Sequence, residues 1–341
     1  MNTLSYRVLI LFLLNFVSYQ LFAKVPVKVI FETDMGNDID DALALDMLYK
    51  YQDMGNAHIL MISNNKANIH SVSFLDIMNA FYGYPEIPLA TVKNSVVKEP
   101  TGKSYVEIVE NFCSDNFTFS KHRNALDTIP DSVQKYRQIL SREKDGSVVI
   151  VSVGFLTNLC QLLKSDPDQY SNLTGRELVE KKVRLLSVMG GDFRPDLKKG
   201  EFNIRFDIPS AKYVFEKWPG KVVISSWEVG GNLIFKGSEM LDEINYATYH
   251  PMKIAYENYL PMPYDRPTWD LTSVLYAIEP NQHYFNLSKK GFLNVDDKGF
   301  TTFVESKSGS HRYLCISKKQ SNRILKRFNQ LIVQVPEKHI K

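Results

Sequence analysis

Glu32-Thr33-Asp34-Met35-Gly36-Asn37-Asp38-Ile39-Asp40-Asp41-Ala42-Leu43-Ala44-Leu45 leaves the apolar run Val27-Lys28-Val29-Ile30-Phe31 and enters a stretch, up to Tyr49, with apolar residues at helical spacing. That pattern predicts a buried strand, a turn at Gly36 and a helix from Asp41 onward. Five carboxylates (Glu32, Asp34, Asp38, Asp40 and Asp41) fall within ten residues. Carboxylates this close repel one another, so the group must either hold protons or surround a cation. Hard oxygen donors with no histidine or thiolate beside them favour Ca²⁺ or Mg²⁺ over zinc. Capping and the helix dipole account for one or two acidic residues at a helix start, but not for five.

Outward from this stretch, strand and helix patterns alternate. Ile59–Ile62 reads as a strand, followed by a helix through Phe74, Ile77, Met78 and Phe81 that ends at Gly83. Further buried strands are expected at Ser147–Val153, Val183–Met189 and Lys221–Ser225, with helices at Leu156–Leu163 and Ile208–Trp218. This alternation predicts a single α/β domain whose largely parallel, Rossmann-like central sheet is flanked by helices. The tail from Gly291 to Ile316 alternates differently, and Phe300–Val304 with His311–Ile316 is expected to form a C-terminal β-hairpin. Ligands of such sheets bind beyond the carboxyl ends of the strands, which is where the polar clusters after Thr33, Ile62, Val153 and Met189 fall.

At the start of the chain, Arg7 precedes the apolar run Val8–Leu14, and Leu21-Phe22-Ala23 precedes Lys24. Residues 1–23 read as a secretory signal peptide, which leaves 24–341 as one exported domain, periplasmic or secreted, with no membrane attachment after cleavage. Asn15, Ser18 and Gln20 break the apolar run too early for a comfortable membrane span. Of the 341 residues 44% are hydrophobic and 23% charged, which excludes a disordered or low-complexity chain. The net charge of +3 comes from interleaved signs, so no nucleic-acid surface is expected. Cys113, Cys160 and Cys315 lack the spacing of a disulfide framework or a zinc site. A homo-oligomer is neither required nor excluded.

The acidic stretch lacks the sixth-position glycine and late glutamate of an EF-hand loop, and neither GxGxxG nor GxxxxGK[ST] occurs anywhere. Glu32 stands where an aspartyl phosphatase would carry its nucleophile. The stretch instead resembles the fingerprint Asp-x-Asp-x-Gly-x-Asp-Asp-Ala of the nucleoside hydrolases of the inosine-uridine preferring type. The resemblance recurs in order along the chain. Gly154-Phe-Leu-Thr157-Asn158-Leu is similar to that family's Gly-Pro-Leu-Thr-Asn-Leu, and Met189-Gly190-Gly191 to its Met-Gly-Gly. Glu201-Phe202-Asn203, followed by Asp207–Phe215, resembles its Glu-Phe-Asn segment and next helix, and Trp269-Asp270 occupies the place of its late aspartate.

The resemblance implies roles residue by residue. Asp34, Asp41 and Asp270 would ligate Ca²⁺ together with the Thr157 backbone carbonyl, and Asp40 would be the general base. Glu201 and Asn203 would hold ribose hydroxyls, with the Met189 backbone alongside, and Asn64 or Asn65 would touch the sugar diol. The reaction implied is hydrolysis of a ribonucleoside to free base and ribose, with an oxocarbenium-like transition state.

The sequence departs from the pattern in three places. Asp38-Ile39 is an insertion before the Asp40-Asp41 pair, so Asp38 is a second candidate for base or metal ligand. Glu32 replaces the first aspartate of the fingerprint. Trp269 stands where many members carry a histidine acid for the departing base; it resembles the purine-preferring branch, which stacks aromatic rings on that base. His58, His70, His122 and His250 are the alternative acids, with nothing in their contexts to favour them. The leading expectation is therefore an exported, calcium-dependent, purine-leaning nucleoside hydrolase that scavenges nucleobases. The competing readings are a non-catalytic calcium-dependent nucleoside or ribosyl binder and a hydrolase of another N-ribosyl substrate, the latter because Lys93–Asp127 carries no family feature.

Overall fold

The computed structural model describes residues 25–95, 104–123 and 128–340. The expected signal segment, residues 1–23, lies outside the described residues, as does part of Lys93–Asp127. The main sheet contains β1 (Val27–Thr33), β2 (Ala57–Asn64), β3 (Leu89–Thr91), β4 (Val148–Ser152), β5 (Val183–Met189), β6 (Val222–Ser225), β7 (Gly291–Val295), β8 (Thr301–Glu305) and β9 (His311–Cys315). Their spatial order is β8-β7-β9-β6-β5-β4-β1-β2-β3, and Asn286–Leu287 also pairs with β9. The strands from β9 through β3 run parallel, whereas β7 is antiparallel to both β8 and β9. β1 is therefore interior to the sheet, and its carboxyl end opens between those of β2 and β4.

The two-residue period of the strands sorts the core into two layers. Val29, Phe31, Val149 and Val151 face one cluster, while Ile30, Val148 and Ile150 face the other. Helices cover both faces. Those that matter for the site are α1 (Asp40–Asp53), α2 (Ile69–Tyr82), α3 (Thr157–Lys164), α4 (Ile208–Lys217), α5 (Trp269–Ile278) and α6 (Lys318–Ile332). Among the described residues no helix is long and apolar enough to cross a membrane.

α1 has almost no solvent face, since every residue from Asp40 to Tyr51 is buried. Two of its turns carry a buried ion pair, Asp46–Lys50 at 2.8 Å. Burying two charges is tolerable only when their remaining bonds are satisfied. Here the Tyr82 hydroxyl donates to Asp46 and the Lys50 ammonium donates to the Ile332 carbonyl at the end of α6.

The C-terminal hairpin differs from the expected pairing. β8 pairs with β7, not with β9, and β9 instead extends the parallel sheet along β6. The turn decides this. Asp296 Oδ1 accepts the amides of Lys298 (2.8 Å) and Phe300 (2.9 Å), and Gly299 takes a positive φ of 81°. That is a tight hairpin turn joining Val295 to Thr301.

Candidate active site

The carboxyl ends of β1, β4 and β5 open on a cavity of about 230 Å³ lined by Asp34, Asn37, Asp38, Asp40, Asp41, Val153, Met189, Glu201, Phe202, Asn203, Trp227, Tyr259, Trp269 and Asp270. Clefts for drug-sized ligands begin near roughly 300 Å³, so this one suits a small polar ligand. β1 delivers Asp34 into the turn, and α1 then presents Asp40 and Asp41 in its first turn. Asp270, in the first turn of α5, meets them from the far end of the chain. Asp40, Asp41 and Asp270 each offer a carboxylate oxygen within 4.8 Å of the others. The Asp270 amide also donates to Asp40 Oδ2 at 3.1 Å.

These carboxylates are strongly perturbed. Burial, and after it the charge of Asp38, pushes Asp40 well above the usual carboxylate range. Burial and the charge of Asp34 do the same to Asp41, and burial and the charge of Asp40 to Asp270. Asp34 is raised to about 6, again chiefly by burial, against the opposing pull of the Asn37 amide and of Lys66. Asp38 is paired by Arg266 through both Nε (2.9 Å) and Nη2. Among the described residues no lysine or arginine forms a salt bridge with Asp40, Asp41 or Asp270. An all-oxygen, anionic, buried cluster of this kind fits a hard divalent cation.

The opposite wall is built around Glu201. It accepts the amides of Asn203 (2.9 Å), Ile204 (3.1 Å) and Gly191 (3.3 Å), yet burial still raises it to about 7. Asn203 donates to the Val153 carbonyl (2.9 Å) and to Met189 Sδ (3.3 Å). Aromatic rings form the third wall. Trp269 lies 5.8 Å from Trp227, centroid to centroid, and its indole N–H donates to the Trp227 carbonyl at 2.9 Å.

A family model described as inosine-uridine preferring nucleoside hydrolase matches residues 29–330, nearly the whole of the described chain. The chain belongs to that family. This nucleoside hydrolase is therefore an N-ribohydrolase by membership. Its fold is shared with an inosine-uridine preferring nucleoside hydrolase from Bacillus anthracis (17% identical, TM-score 0.64, covering 89% of this chain and 99% of that one). It is shared equally with a purine-preferring ribonucleoside hydrolase from Gardnerella vaginalis (16% identical, TM-score 0.67, covering 90% and 98%). The type III effector protein XopQ, solved in complex with adenosine diphosphate ribose, is a third neighbour (14% identical, TM-score 0.65, covering 91% and 94%). No curated protein matches the chain.

Of the residues expected to form the site, this nucleoside hydrolase brings Asp34, Asp38, Asp40, Asp41, Met189, Glu201, Asn203, Trp269 and Asp270 to one cavity. Asn64 and Asn65 are not on its wall. Asn65 instead spans β1 and the loop after β4, donating to Glu32 at 3.1 Å and accepting from the Phe155 amide at 3.1 Å. Asn64 donates to the Lys66 carbonyl. Thr157, off the cavity wall, opens α3 with its hydroxyl donating to Asp207. Glu32 sits behind the site, raised to about 7 by burial and held by Asn65 and by Asn158 at 3.1 Å. The histidines are likewise off the wall.

Asn37, Val153, Phe202, Trp227 and Tyr259 also line the cavity and were not expected from the sequence. Trp227 had a usable signal, since it follows the carboxyl end of β6 by two residues. Tyr259 had none, because its place depends on how the segment after it folds back.

Proposed function

We propose that this N-ribohydrolase is calcium-dependent, releases free base and ribose from ribonucleosides, and prefers purine nucleosides. The observation that carries the reading is the meeting of Asp34, Asp40 and Asp41 with Asp270, some 230 residues away, on a cavity whose other walls are Glu201-Asn203 and two tryptophans. Asp34, Asp41 and Asp270 would hold the ion, and Asp40 also lies within its reach. Bound Ca²⁺ would supply a charge that acidifies water and anchors vicinal hydroxyls.

The residues account for the rest of the chemistry. Breaking the bond between ribose and base builds positive charge on the sugar, and the carboxylate-lined cavity stabilises that charge. Asp40, buried at the head of α1 with its carboxyl pushed up by that burial, is the carboxylate placed to take the proton. Asp38 is the weaker base candidate because Arg266 occupies both of its oxygens. Glu201 and Asn203 orient the sugar hydroxyls, and Trp269 with Trp227 receives the leaving base by stacking. Export by residues 1–23, with nucleobase scavenging as the purpose, belongs to the same reading.

A second reading, a hydrolase of a larger N-ribosyl substrate, is favoured by the fold shared with the effector solved with adenosine diphosphate ribose. Incubation with inosine, guanosine, uridine and adenosine diphosphate ribose, with and without a chelator, separates the two through the free base released from each. Base released from inosine and guanosine, lost with chelator and restored by Ca²⁺, supports the proposal. Release from none of the nucleosides in the presence of Ca²⁺ sinks it.

A further inference from the structure

We infer that Asp38 and Arg266 form a positioning pair that sets the aromatic wall of the cavity, and through it selectivity for the leaving base. The inference deepens the proposed function and rests on reading the Trp269 wall as the base site.

Asp38 is part of the two-residue insertion in the acidic turn, and that insertion is firmly held. Ile39 is fully buried, its amide donates to Asp38 Oδ1 at 2.7 Å, and the Tyr105 hydroxyl donates to the Asp38 carbonyl at 2.7 Å. Arg266 is fixed from its own side by an antiparallel pairing of Arg266 with Phe235. The guanidinium then spans the gap between the two segments. It gives Nε and Nη2 to Asp38, and Nη2 also donates to the Tyr259 hydroxyl at 3.1 Å.

What makes the pair more than a tie between loops is where the guanidinium lies. Its centre is 5.1 Å from the Tyr259 ring centroid and 5.3 Å from that of Trp269, both within the reach of a cation–π contact. Tyr259 and Trp269 line the cavity, whereas Arg266 does not. The arginine is thus a spacer behind two rings that face the ligand. A planar, two-pronged donor is needed to hold Asp38 through both oxygens while contacting the rings, and lysine cannot do both. Asp38, on this account, exists in the turn to fix the guanidinium rather than to take a proton.

The test is steady-state kinetics with saturating Ca²⁺ on inosine and uridine, for wild type, Arg266→Met, Arg266→Lys, Asp38→Asn and the Asp38→Asn/Arg266→Met double variant, with Tm recorded for each. Because a purine gains more from an ordered aromatic wall, KM for inosine should rise about tenfold in Arg266→Met and Asp38→Asn, which corresponds to ~1.4 kcal/mol. In Arg266→Met, whose side chain stands off the cavity wall, kcat should change by less than about threefold, and KM for uridine by less than about threefold. Arg266→Lys should fail to restore the inosine KM, and the double variant should be no worse than the worse single one, as coupled residues behave. Equal losses on inosine and uridine, full rescue by lysine, or additive losses would each overturn the inference. Should Asp38→Asn lose its fold, Arg266→Lys, which keeps the charge, carries the same comparison. A wild type that cleaves neither nucleoside would overturn the functional reading itself, an outcome distinct from active variants of unchanged selectivity.

Discussion

Gly154→Ala is the sharpest probe of how the acidic turn is held. A Cβ at residue 154 would lie 2.5 Å from the Asp34 backbone nitrogen and 2.7 Å from both Asp34 Oδ1 and Asn65 Oδ1. Ordinary contact begins near 3.4 Å, so about 0.9 Å must be recovered. None of the three atoms can yield freely. The nitrogen is main chain at the end of β1, Asp34 is held by the Asn37 amide, and Asn65 Oδ1 accepts the Phe155 amide. Overpacking of this kind costs about 1–3 kcal/mol, which for a chain of this size is a fall of a few degrees in Tm. The displaced atoms belong to a proposed metal ligand, and a shift near 1 Å in a catalytic constellation costs on the order of 10²-fold in rate. Thermal denaturation, calorimetric Ca²⁺ titration and kcat/KM on inosine read the three effects. Gly220→Ala is the control, because its Cβ would meet nothing closer than 3.6 Å. A Gly154→Ala enzyme with wild-type Tm and at least half the wild-type kcat/KM would refute the reasoning.

Four further outcomes are expected. Asp40→Asn should abolish nearly all turnover while Ca²⁺ still binds, whereas Asp41→Asn should weaken Ca²⁺ binding in a titration; high activity in Asp40→Asn together with loss in Asp38→Asn would transfer the base role to Asp38. Saturating Ca²⁺ should raise Tm over the chelated protein, since a ligand at a hundred times its Kd adds about 2.7 kcal/mol, and a Tm indifferent to Ca²⁺ would remove the ion from the mechanism. In chelated protein Tm should fall as pH rises from about 4.5 to about 7, because folding raises Glu32 and Glu201 from 4.5 to about 7. The native state holds protons there that the unfolded chain has released, so this stabilisation is complete below pH 4.5 and lost by 7; Glu201→Gln should flatten the slope, and an unchanged slope would deny that Glu201 is buried as described. Trp269→Ala should slow inosine cleavage by the equivalent of about 1–3 kcal/mol and uridine cleavage less, with Trp269→Phe intermediate, and equal losses on both at unchanged Tm would reject stacking.

The parts of the fold set by local pattern were legible in the sequence. The β1 strand, the turn and α1 follow from an apolar run, a glycine and apolar residues at helical spacing, and the parallel sheet follows from their repetition. The pairing of β9 was not legible. Residues 311–315 have the composition of either a hairpin arm or a parallel strand, and only the turn at Asp296–Gly299 commits β8 to β7. The site divided in the same way. Asp34, Asp40, Asp41, Glu201 and Asn203 stand at the ends of recognisable elements. Asn64 and Asn65 occupy an equally good position, yet Asn65 turns inward to donate to the buried Glu32 and Asn64 donates to the Lys66 carbonyl. Arg266 and Tyr259 come from a region without strong periodicity, and their use depends on an insertion some 220 residues earlier.

The sealed helix α1 has a consequence for the time scale on which the site can come apart. A helix buried from Asp40 to Tyr51, with its last turn tied through Lys50 to the end of α6, offers no face from which to fray. Its amide protons should therefore exchange with solvent only through global opening, together with those of β1 and β4. Functional residues more often sit on segments that breathe. Here the hydrogen-bonded amides from Ala44 to Tyr51, directly behind the two carboxylates at the head of α1, should rank with the slowest-exchanging core, and a cut that removed α6 should speed their exchange.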